Sequence, residues 1–396
     1  PDGRVYYSDW AEGWPKSKKG RIYAIFDPAH VNDPLVKETK AIIASDFTRK
    51  SDDTLVQLLA HADWRVRLEA QFTLAERGAK SIARFASVLQ RPEPGYAGLH
   101  AIWGLGQLAA RETSALAPVR AALKHGDAEV RAQAAKVLGD RRMNEAFDDL
   151  TAALRDDHAR VRFFAAQSLG KLGRPEAAPA LLAVLRENDD RDLYLRHAAV
   201  MGLVGGKNLE ALAAAAKSDS RAERLGVLLA WRRLHRPELA QFLSDADPFL
   251  RREAALAIND EPVDGAFPAL AALLSDASSG TAADEPVMLR AINANFRLGG
   301  VDHAQALARY AAQAGAPAAL RAEALKQLAL WRKPPARDRI VGVYRPIHDA
   351  GRAPEAAAVA LSEVAGSILS GGAASEVGAA AIEAIVALQA RAAADA

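Results

Sequence analysis

Apolar positions along most of the chain recur with helical spacing, in blocks that are themselves repeated. Val130, Ala134, Val137 and Leu138 are three to four residues apart, which places them on one face of an α-helix. Shorter stretches with the same spacing, such as Asn144–Leu154, lie between these longer ones. The pattern therefore predicts helices in pairs.

The repeat is also visible in the polar residues. The segment that begins at Asp127 (DAEVRAQA) is similar to those that begin at Asp63 (DWRVRLEA) and Asp157 (DHARVRFF). Equivalent positions of the recurrent arginine define about nine units, at Arg67, Gly98, Arg131, Arg162, Arg196, Arg224, Arg251, Arg290 and Arg321. The Asp, Val-Arg and Ala offsets resemble the HEAT repeat, which implies an all-α, ARM-type α-solenoid superhelix over residues 51–350.

Two local signals mark the ends of the repeated helices. Asp127 and Asp157 precede their helices, where a carboxylate can accept hydrogen bonds from free backbone N–H groups, so both are predicted N-caps. Gly139 and Gly170 each follow a leucine near the end of a second helix. We expect them to provide left-handed exits from these helices.

The beginning of the chain has a different pattern. Arg4–Trp10 and Gly20–Phe26 are rich in β-branched and aromatic residues and are separated by a polar loop, which predicts two strands within residues 1–28. A linker and a helix, Asp33–Ser45, are expected over residues 29–50. Residues 351–396 are rich in alanine and predict two closing helices, at 354–368 and 373–394.

Composition excludes several classes of site. The 396 residues contain 51 Lys and Arg against 49 Asp and Glu, so no bulk positive charge favours nucleic acid or an anionic membrane. Cysteine is absent, which excludes thiolate metal sites, iron–sulfur clusters and covalent haem attachment within these residues. No apolar run approaches the roughly 18 residues of a membrane-spanning helix. The chain begins with Pro1 rather than Met, and we expect it to be part of a longer protein.

Four stretches resemble one bacterial family. They are 1–10 with 13–14 and 19–23, then 61–72, then 99–103, and finally 331–346. They are similar to membrane-bound dehydrogenases of the glucose/sorbosone-dehydrogenase class, in which a β-propeller is followed by HEAT repeats and often by a cytochrome c domain. The resemblance implies that the strand pair is the end of a propeller and that the protein is extracytoplasmic (periplasmic). It also implies that the other blades, which would hold a sugar or quinone cofactor, lie outside this chain.

The histidines do not predict a metal or catalytic site. They are scattered singly, and none is followed by Glu, which excludes the His-Glu pairs of HEAT-like di-iron hydroxylases. His61, beside Asp63, and His100, near Trp103, are the best candidates for an interaction role. A structural role at a repeat junction is the alternative for each of them.

The recurrent arginines admit two interpretations. Stacked repeats would align five of them along one edge, as in a phosphate-binding groove: Arg67, Arg131, Arg162, Arg196 and Arg251. Because each has an Asp in or near its own unit, we favour an Asp–Arg ladder that holds adjacent repeats in register. The segment Gly104–Ala109 fits a dinucleotide-binding pattern, but no strand precedes it, so we interpret it as helix packing.

The leading hypothesis is a non-catalytic scaffold that binds a protein or neighbouring domains of the same polypeptide, with no cofactor in this segment. An alternative is the C-terminal part of a quinone-dependent sugar dehydrogenase, contributing to its active site through Asp9, Trp10 and Trp14. A HEAT-type nucleic-acid binder is a third hypothesis. The balanced charge disfavours it.

Overall fold

The computed structural model describes residues 2–10, 20–275, 284–348, 352–370 and 375–390. The chain forms two compact units, Pro1–Ala211 and Leu212–Ala396. In both units the described residues are mostly helical. No described helix is both long and apolar enough to span a bilayer.

The first unit begins with two strands and continues with paired helices. The strands are β1 (Arg4–Trp10) and β2 (Gly20–Phe26). The helices are α1 (Pro34–Ile43), α2 (Asp52–Leu58), α3 (Trp64–Glu76), α4 (Ile82–Leu89), α5 (Gly95–Leu108), α6 (Leu116–Ala121), α7 (Ala128–Asp140), α8 (Phe147–Ala153), α9 (Ala159–Leu172), α10 (Ala178–Asn188), α11 (Leu193–Gly206) and α12 (Leu209–Ala215), the last of which ends in the second unit.

The second unit contains α13 (Arg221–Arg233), α14 (Pro248–Asp260), α15 (Phe267–Ala272), α16 (Glu285–Leu298), α17 (Val301–Ala312), α18 (Ala318–Ala329), α19 (Ala356–Leu369) and α20 (Glu376–Leu388). A 3₁₀ segment, Pro237–Ser244, takes the place of a first helix before α14. Residues 332–348 are not helical and contain one isolated antiparallel bridge, between Arg337 and Tyr344.

In the first unit a short first helix is followed by a longer second helix, from α2 and α3 to α10 and α11. The second helices of successive pairs pack on one another, α3 on α5, α5 on α7, α7 on α9 and α9 on α11. Small apolar residues such as Ala134, Ala135 and Ala165 are fully buried between them. The helices predicted from the apolar spacing are therefore present and stack in sequence order, as in a HEAT array.

The N-cap prediction is correct for Asp127 and wrong for Asp157. The Asp127 carboxylate accepts hydrogen bonds from the N–H groups of Glu129 and Val130. At α9 the capping position belongs to His158, which makes no side-chain cap. Asp156, one residue before Asp157, accepts the His158 N–H at 2.9 Å and pairs with an arginine of the preceding helix pair. Helix α9 therefore begins one residue later than the sequence predicts, at Ala159.

The two Leu-Gly glycines lie inside their helices, so their predicted role as left-handed exits is wrong. A Cβ on Gly139 would be 2.2 Å from the Ser168 hydroxyl oxygen, and one on Gly170 would be 2.7 Å from the Met201 carbonyl oxygen. These glycines therefore allow neighbouring second helices to touch backbone to backbone. The left-handed residues that follow α7 and α9 are Arg142 and Gly173.

The strand pair forms as predicted, in an antiparallel register that runs from Arg4 opposite Phe26 to Trp10 opposite Gly20. The rings of Tyr7 and Tyr23 stack with their centroids 4.9 Å apart. Apolar side chains nevertheless remain exposed, with Val5 at 68% and Ile22 at 78%. A two-stranded sheet with so much exposed apolar surface is marginal by itself in water.

Candidate functional site

Five arginines in the first turns of second helices close the junction between the two helices of a pair. We call Arg67, Arg131, Arg162, Arg224 and Arg251 the junction arginines. In each, Nη1 donates to the backbone carbonyl oxygens six and five residues earlier, at 2.7–3.2 Å. Carbonyls at the end of a helix lack intrahelical donors, and a cation near that end is favourable in the field of the helix dipole.

The side chain six residues before each junction arginine stabilises the same turn. It accepts a hydrogen bond from the backbone N–H two residues further on, at 2.8–3.1 Å; the five side chains are those of His61, His125, Asp156, Ser218 and Asp245. His61 therefore has a structural partner, the N–H of Asp63. Because His, Asp and Ser can all accept this bond, the position does not stand out in the sequence.

Two junction arginines also bind the junction of the next helix pair, through Nε and Nη2, which we call the outer edge of the guanidinium. Arg131 donates from Nε and Nη2 to both carboxylate oxygens of Asp156, at 2.7 and 2.9 Å. Arg224 binds Asp245 in the same way, at 2.9 and 3.2 Å. The hydrogen bond from Arg131 lowers the pKa of Asp156, against the opposing effect of burial. At these two places the predicted Asp–Arg ladder is present.

Arg67 departs from the predicted ladder because it meets a histidine instead of a carboxylate. Its Nε donates to Nε2 of His100 at 3.1 Å, and its guanidinium carbon lies 4.4 Å from the centroid of the Tyr96 ring. The following unit has Pro92 at the position that corresponds to Asp156, so no carboxylate is available there. The neutral ring of His100 takes the place of the missing acid.

His100 is buried and completely hydrogen-bonded. Since Arg67 can only donate, Nε2 of His100 is the acceptor, and Nδ1 carries the hydrogen that is shared with Gln71 Oε1 at 2.7 Å. Burial and the charge of Arg67 lower the pKa of His100 to about 4. Gln71 in turn donates to Gln107 at 3.1 Å. The imidazole is therefore neutral at neutral pH and is occupied on both nitrogens.

Trp103 continues this chain of polar contacts into the next two helix pairs. Its Nε1 donates to Gln133 at 2.9 Å, and Gln133 donates to Glu129 at 2.7 Å. Glu129 also accepts from Arg160 of α9 at 2.7 Å. Trp103 makes an edge contact with His100, 5.0 Å between ring centroids. The structure thus brings Arg67, His100 and Trp103 together, in a network that ties α3, α5, α7 and α9.

Arg162 is the second departure from the ladder. Its Nη1 makes the common carbonyl bonds, but no carboxylate pairs with it among the described residues. The next junction contains Asp189 and Asp190 in left-handed conformations, and Asp190 pairs with Arg196 of its own unit. The turn between α10 and α11 therefore does not offer its carboxylate to Arg162.

Sequence reasoning missed a set of exposed aromatic side chains. Trp64, Tyr96 and Tyr194 are 59%, 64% and 79% exposed and lie in the first turns of α3, α5 and α11. We call them the exposed aromatics. The second helices stack side by side within the first unit, so their first turns lie along one edge of it. An aromatic residue directly after a helix start, out of phase with the apolar face, is the signal that would have indicated them.

The N-terminal candidates belong to the hairpin. Asp9 lies opposite Arg21 in the strand register, and Trp10 lies opposite Gly20 at its end. The side chain of Trp10 and the whole of Trp14 lie outside the described residues.

The second unit contains a buried ionic cluster around Asp338, whose side chain is fully buried. Its Oδ2 accepts from Asn293 at 3.0 Å, Arg297 at 3.2 Å and Arg345 at 2.5 Å. Its Oδ1 accepts from the backbone N–H groups two and three residues further on. Arg345 also donates to the Asn259 carbonyl oxygen at 2.6 Å. The cluster fixes the non-helical segment 332–348 against α14 and α16.

Across the part of the chain that the structure describes, no group of three or more His, Asp or Glu side chains is placed to hold a metal ion. The histidines discussed above make hydrogen bonds to protein groups instead.

Comparison with known proteins bears on the fold. Residues 116–204 match the family model for HEAT repeats. Comparison with the curated proteins gave no match. The similar solved structures include the complex of CpcE and CpcF of phycocyanin lyase from Nostoc sp. PCC7120, with 20% identity over 72% of this chain and 90% of that chain and a TM-score of 0.30.

Two further solved structures are similar to the chain. Importin beta, in an ammonium sulfate condition, has 12% identity over 85% of this chain and 52% of that chain, with a TM-score of 0.46. Human deoxyhypusine hydroxylase in complex with glycerol has 19% identity over 81% of this chain and 97% of that chain, with a TM-score of 0.26. The stacked helix pairs and the family match together establish an all-α HEAT-repeat fold of the α-solenoid class, with a two-stranded sheet at its N-terminus.

Proposed function

We propose that this chain is a non-catalytic HEAT-repeat scaffold whose first unit docks a protein partner or a neighbouring module of the same polypeptide. One observation carries the proposal: the exposed aromatics lie in the first turns of stacked second helices. Large aromatic side chains are enriched at the energetic centres of protein interfaces, and an exposed group of them indicates a binding surface.

The polar groups beside the exposed aromatics support a scaffold more than a reaction centre. His100 is neutral and bonded on both ring nitrogens, and the Trp103 indole N–H is bonded to Gln133. A general acid or base needs a free site toward a substrate and a pKa near the working pH. These residues instead tie the second helices together and make the surface rigid.

The wider context is also part of the proposal. We infer that the chain belongs to an extracytoplasmic, dehydrogenase-like protein in which the hairpin completes a β-propeller. The opening residues resemble the end of such a propeller, and the hairpin leaves Val5, Ile22 and Ile25 exposed. Strands of this kind gain stability by joining a larger sheet. The scaffold would then hold the propeller and a second module at a fixed separation.

Replacing all three exposed aromatics with Ala (W64A/Y96A/Y194A) is expected to weaken partner binding by tenfold or more, on the order of the loss of a single interface hot spot. The partner is captured from an extract of the source organism on the immobilised chain, identified by mass spectrometry and purified. Its affinity for each variant is then measured by biolayer interferometry. The expected partner contains a β-propeller or a redox module.

A matched control removes exposed apolar surface elsewhere. The double variant V359A/V386A truncates two side chains of the closing helices that are 57% and 71% exposed. It is expected to bind the partner like the wild type. Equal affinities for wild type and triple variant, or an equal loss in the control, would contradict the assignment of the binding surface. A partner confined to the cytoplasm would contradict the extracytoplasmic context.

A further inference from the structure

The Asp–Arg ladder of the first unit stops at Arg162. Arg131 and Arg224 direct Nε and Nη2 to the carboxylate of the next junction. Arg162 makes the same inner bonds, at 2.7 and 3.1 Å, to the carbonyl oxygens of Asp156 and Asp157. Its outer edge meets no acceptor among the described residues. A guanidinium with its inner edge fixed and its outer edge open is preorganised for a planar anion.

Arg162 is one of the residues that line a groove. Its volume is about 750 Å³, and it lies between the junction that precedes α9 and the turn between α10 and α11. A second hollow of about 310 Å³, between α8 and α10, shares Leu154 and Val184 with it. Leu154, Val184 and Leu195 form buried apolar walls. Pockets for short segments and small ligands have similar volumes and a similar mixture of apolar walls and a few polar groups.

The charge around the groove favours an anion. Its charged lining residues are Arg155, Asp156, Asp157, Arg162, Glu187 and Arg191. Asp156 is already held by both outer nitrogens of Arg131. Three arginines therefore face two remaining carboxylates. The side chain of Arg155 forms no ion pair with any described residue, so its charge is also available to a ligand.

We propose that this groove binds an acidic side chain, Asp or Glu, of a partner protein. Its carboxylate would accept hydrogen bonds from Nε and Nη2 of Arg162, as Asp156 does from Arg131. Apolar residues next to that acid would cover Leu154 and Val184. The inference rests on the proposed scaffold function and specifies the chemistry of one contact. A carboxylate of the partner takes the place beside Arg162 that Asp156 has beside Arg131.

The test uses two synthetic peptides and the full chain. The probe is the N-acetylated, C-amidated hexapeptide Ser-Leu-Asp-Leu-Ser-Gly, and its counterpart has Asn in place of Asp. Titration calorimetry is expected to show that the wild type binds the Asp peptide about tenfold or more tightly than the Asn peptide, which is the usual scale of a charge-assisted hydrogen-bond pair. R162Q is expected to abolish the difference.

Two further variants separate binding from folding. R251Q removes the same two carbonyl bonds at a junction of the other unit and is expected to keep the full discrimination. R155E changes an exposed side chain at the rim and is expected to weaken binding of the Asp peptide by charge repulsion while the Arg162 bonds persist. In the wild type, the NMR signal of the Arg162 Nε–H, assigned by its loss in R162K, is expected to shift with the Asp peptide only.

The results distinguish this inference from the scaffold proposal. Equal binding of both peptides to the wild type, or discrimination that survives in R162Q, would overturn the carboxylate site. If the triple aromatic variant still loses its partner in that case, the scaffold proposal stands without this contact. If the peptides bind as expected but the triple aromatic variant keeps the wild-type affinity for the partner, the assignment of the docking surface is wrong. The assignment of the carboxylate site in the groove then still stands.

Discussion

Replacing Asp338 with Ala is expected to lower the free energy of unfolding of the second unit by about 3–5 kcal/mol, because removing one partner of a buried ion pair leaves the other charges buried without compensation. Arg297, Arg345 and Asn293 all donate to the same oxygen of this fully buried carboxylate. Without it, two arginines would repel each other inside the unit, and segment 332–348 would lose its attachment. Urea unfolding followed by circular dichroism measures the loss.

The contribution of Asp338 also depends on pH. Burial alone would raise the pKa of Asp338, but hydrogen bonds from Asn293, from the N–H groups of Val341 and Ile340, and the charge of Arg345 lower it below the usual value. An acid with a lower pKa in the folded state stabilises the fold above its unfolded pKa of about 3.9. That stabilisation is lost as the pH falls through the folded pKa. The stability difference between wild type and D338N is therefore expected to be large at neutral pH and to shrink below about pH 4.

A surface ion pair provides the matched control. Asp53 pairs with Arg84 at 2.6 Å and has 76% of its side chain exposed. D53A is expected to cost less than about 1 kcal/mol, as exposed pairs do. A loss in D338A as small as that in D53A would show that the cluster does not hold the segment in place.

Gly205→Ala is expected to destabilise the first unit by about 1–3 kcal/mol, because overpacking a tight contact forces the backbone to move. A Cβ on Gly205 would lie 2.1 Å from the carbonyl oxygen of Gly170 on the neighbouring helix. Since Gly170 itself faces Met201 and Gly202 at similarly short range, neither helix can yield alone. In an exposed helix, replacing Gly with Ala would stabilise the protein by about 1 kcal/mol. A loss of stability in G205A would therefore indicate the close helix contact.

Gly126 is the control for this prediction. It has no atom within 4 Å of a built Cβ, and its backbone is not left-handed. G126A is expected to change the stability by no more than about 0.5 kcal/mol. Thermal unfolding of both variants gives the comparison. A G205A chain that is as stable as the wild type would contradict the close contact between α9 and α11 at Gly170 and Gly205.

The sequence was sufficient for what depends on local periodicity. Alternating β-branched and aromatic residues gave the strand bounds Arg4–Trp10 and Gly20–Phe26, and the apolar spacing gave the helix pairs. Gly139 and Gly170 were misassigned because a glycine at a helix end and one at a close helix contact have the same local sequence. Only the partner across the contact, Ser168 or Met201, distinguishes the two cases.

The candidate site could be predicted only in part, since its contacts are not local. The repeat pattern indicates Arg67, and the survey of single histidines indicates His100 near Trp103. The exchange of a carboxylate for His100 depends on what the next unit provides at its junction. The open edge of Arg162 depends on Asp190, which turns toward its own unit through a left-handed backbone. A repeat consensus describes the ladder and gives no indication of where it is interrupted.

The missing carboxylate partner of Arg162 and the exposed aromatics suggest how a rigid array of repeats can present a surface that is specific for one partner. Where junctions are complete, as at Arg131 and Asp156, the polar groups satisfy one another and hold the helices in register. Where a junction is incomplete, as at Arg162, a charged group remains for a partner. We therefore expect binding determinants at departures from the repeat rather than at its regular positions.

Amide hydrogen exchange of the full chain, free and saturated with its captured partner, tests the central claim most directly. The first amides of a helix have no intrahelical acceptor, so their exchange reports contact with a bound protein. We predict protection in the first turns of α3, α5 and α11 and in the turn 187–192. Protection confined to the closing helices α19 and α20, with the first turns of α3, α5 and α11 unchanged, would contradict the account.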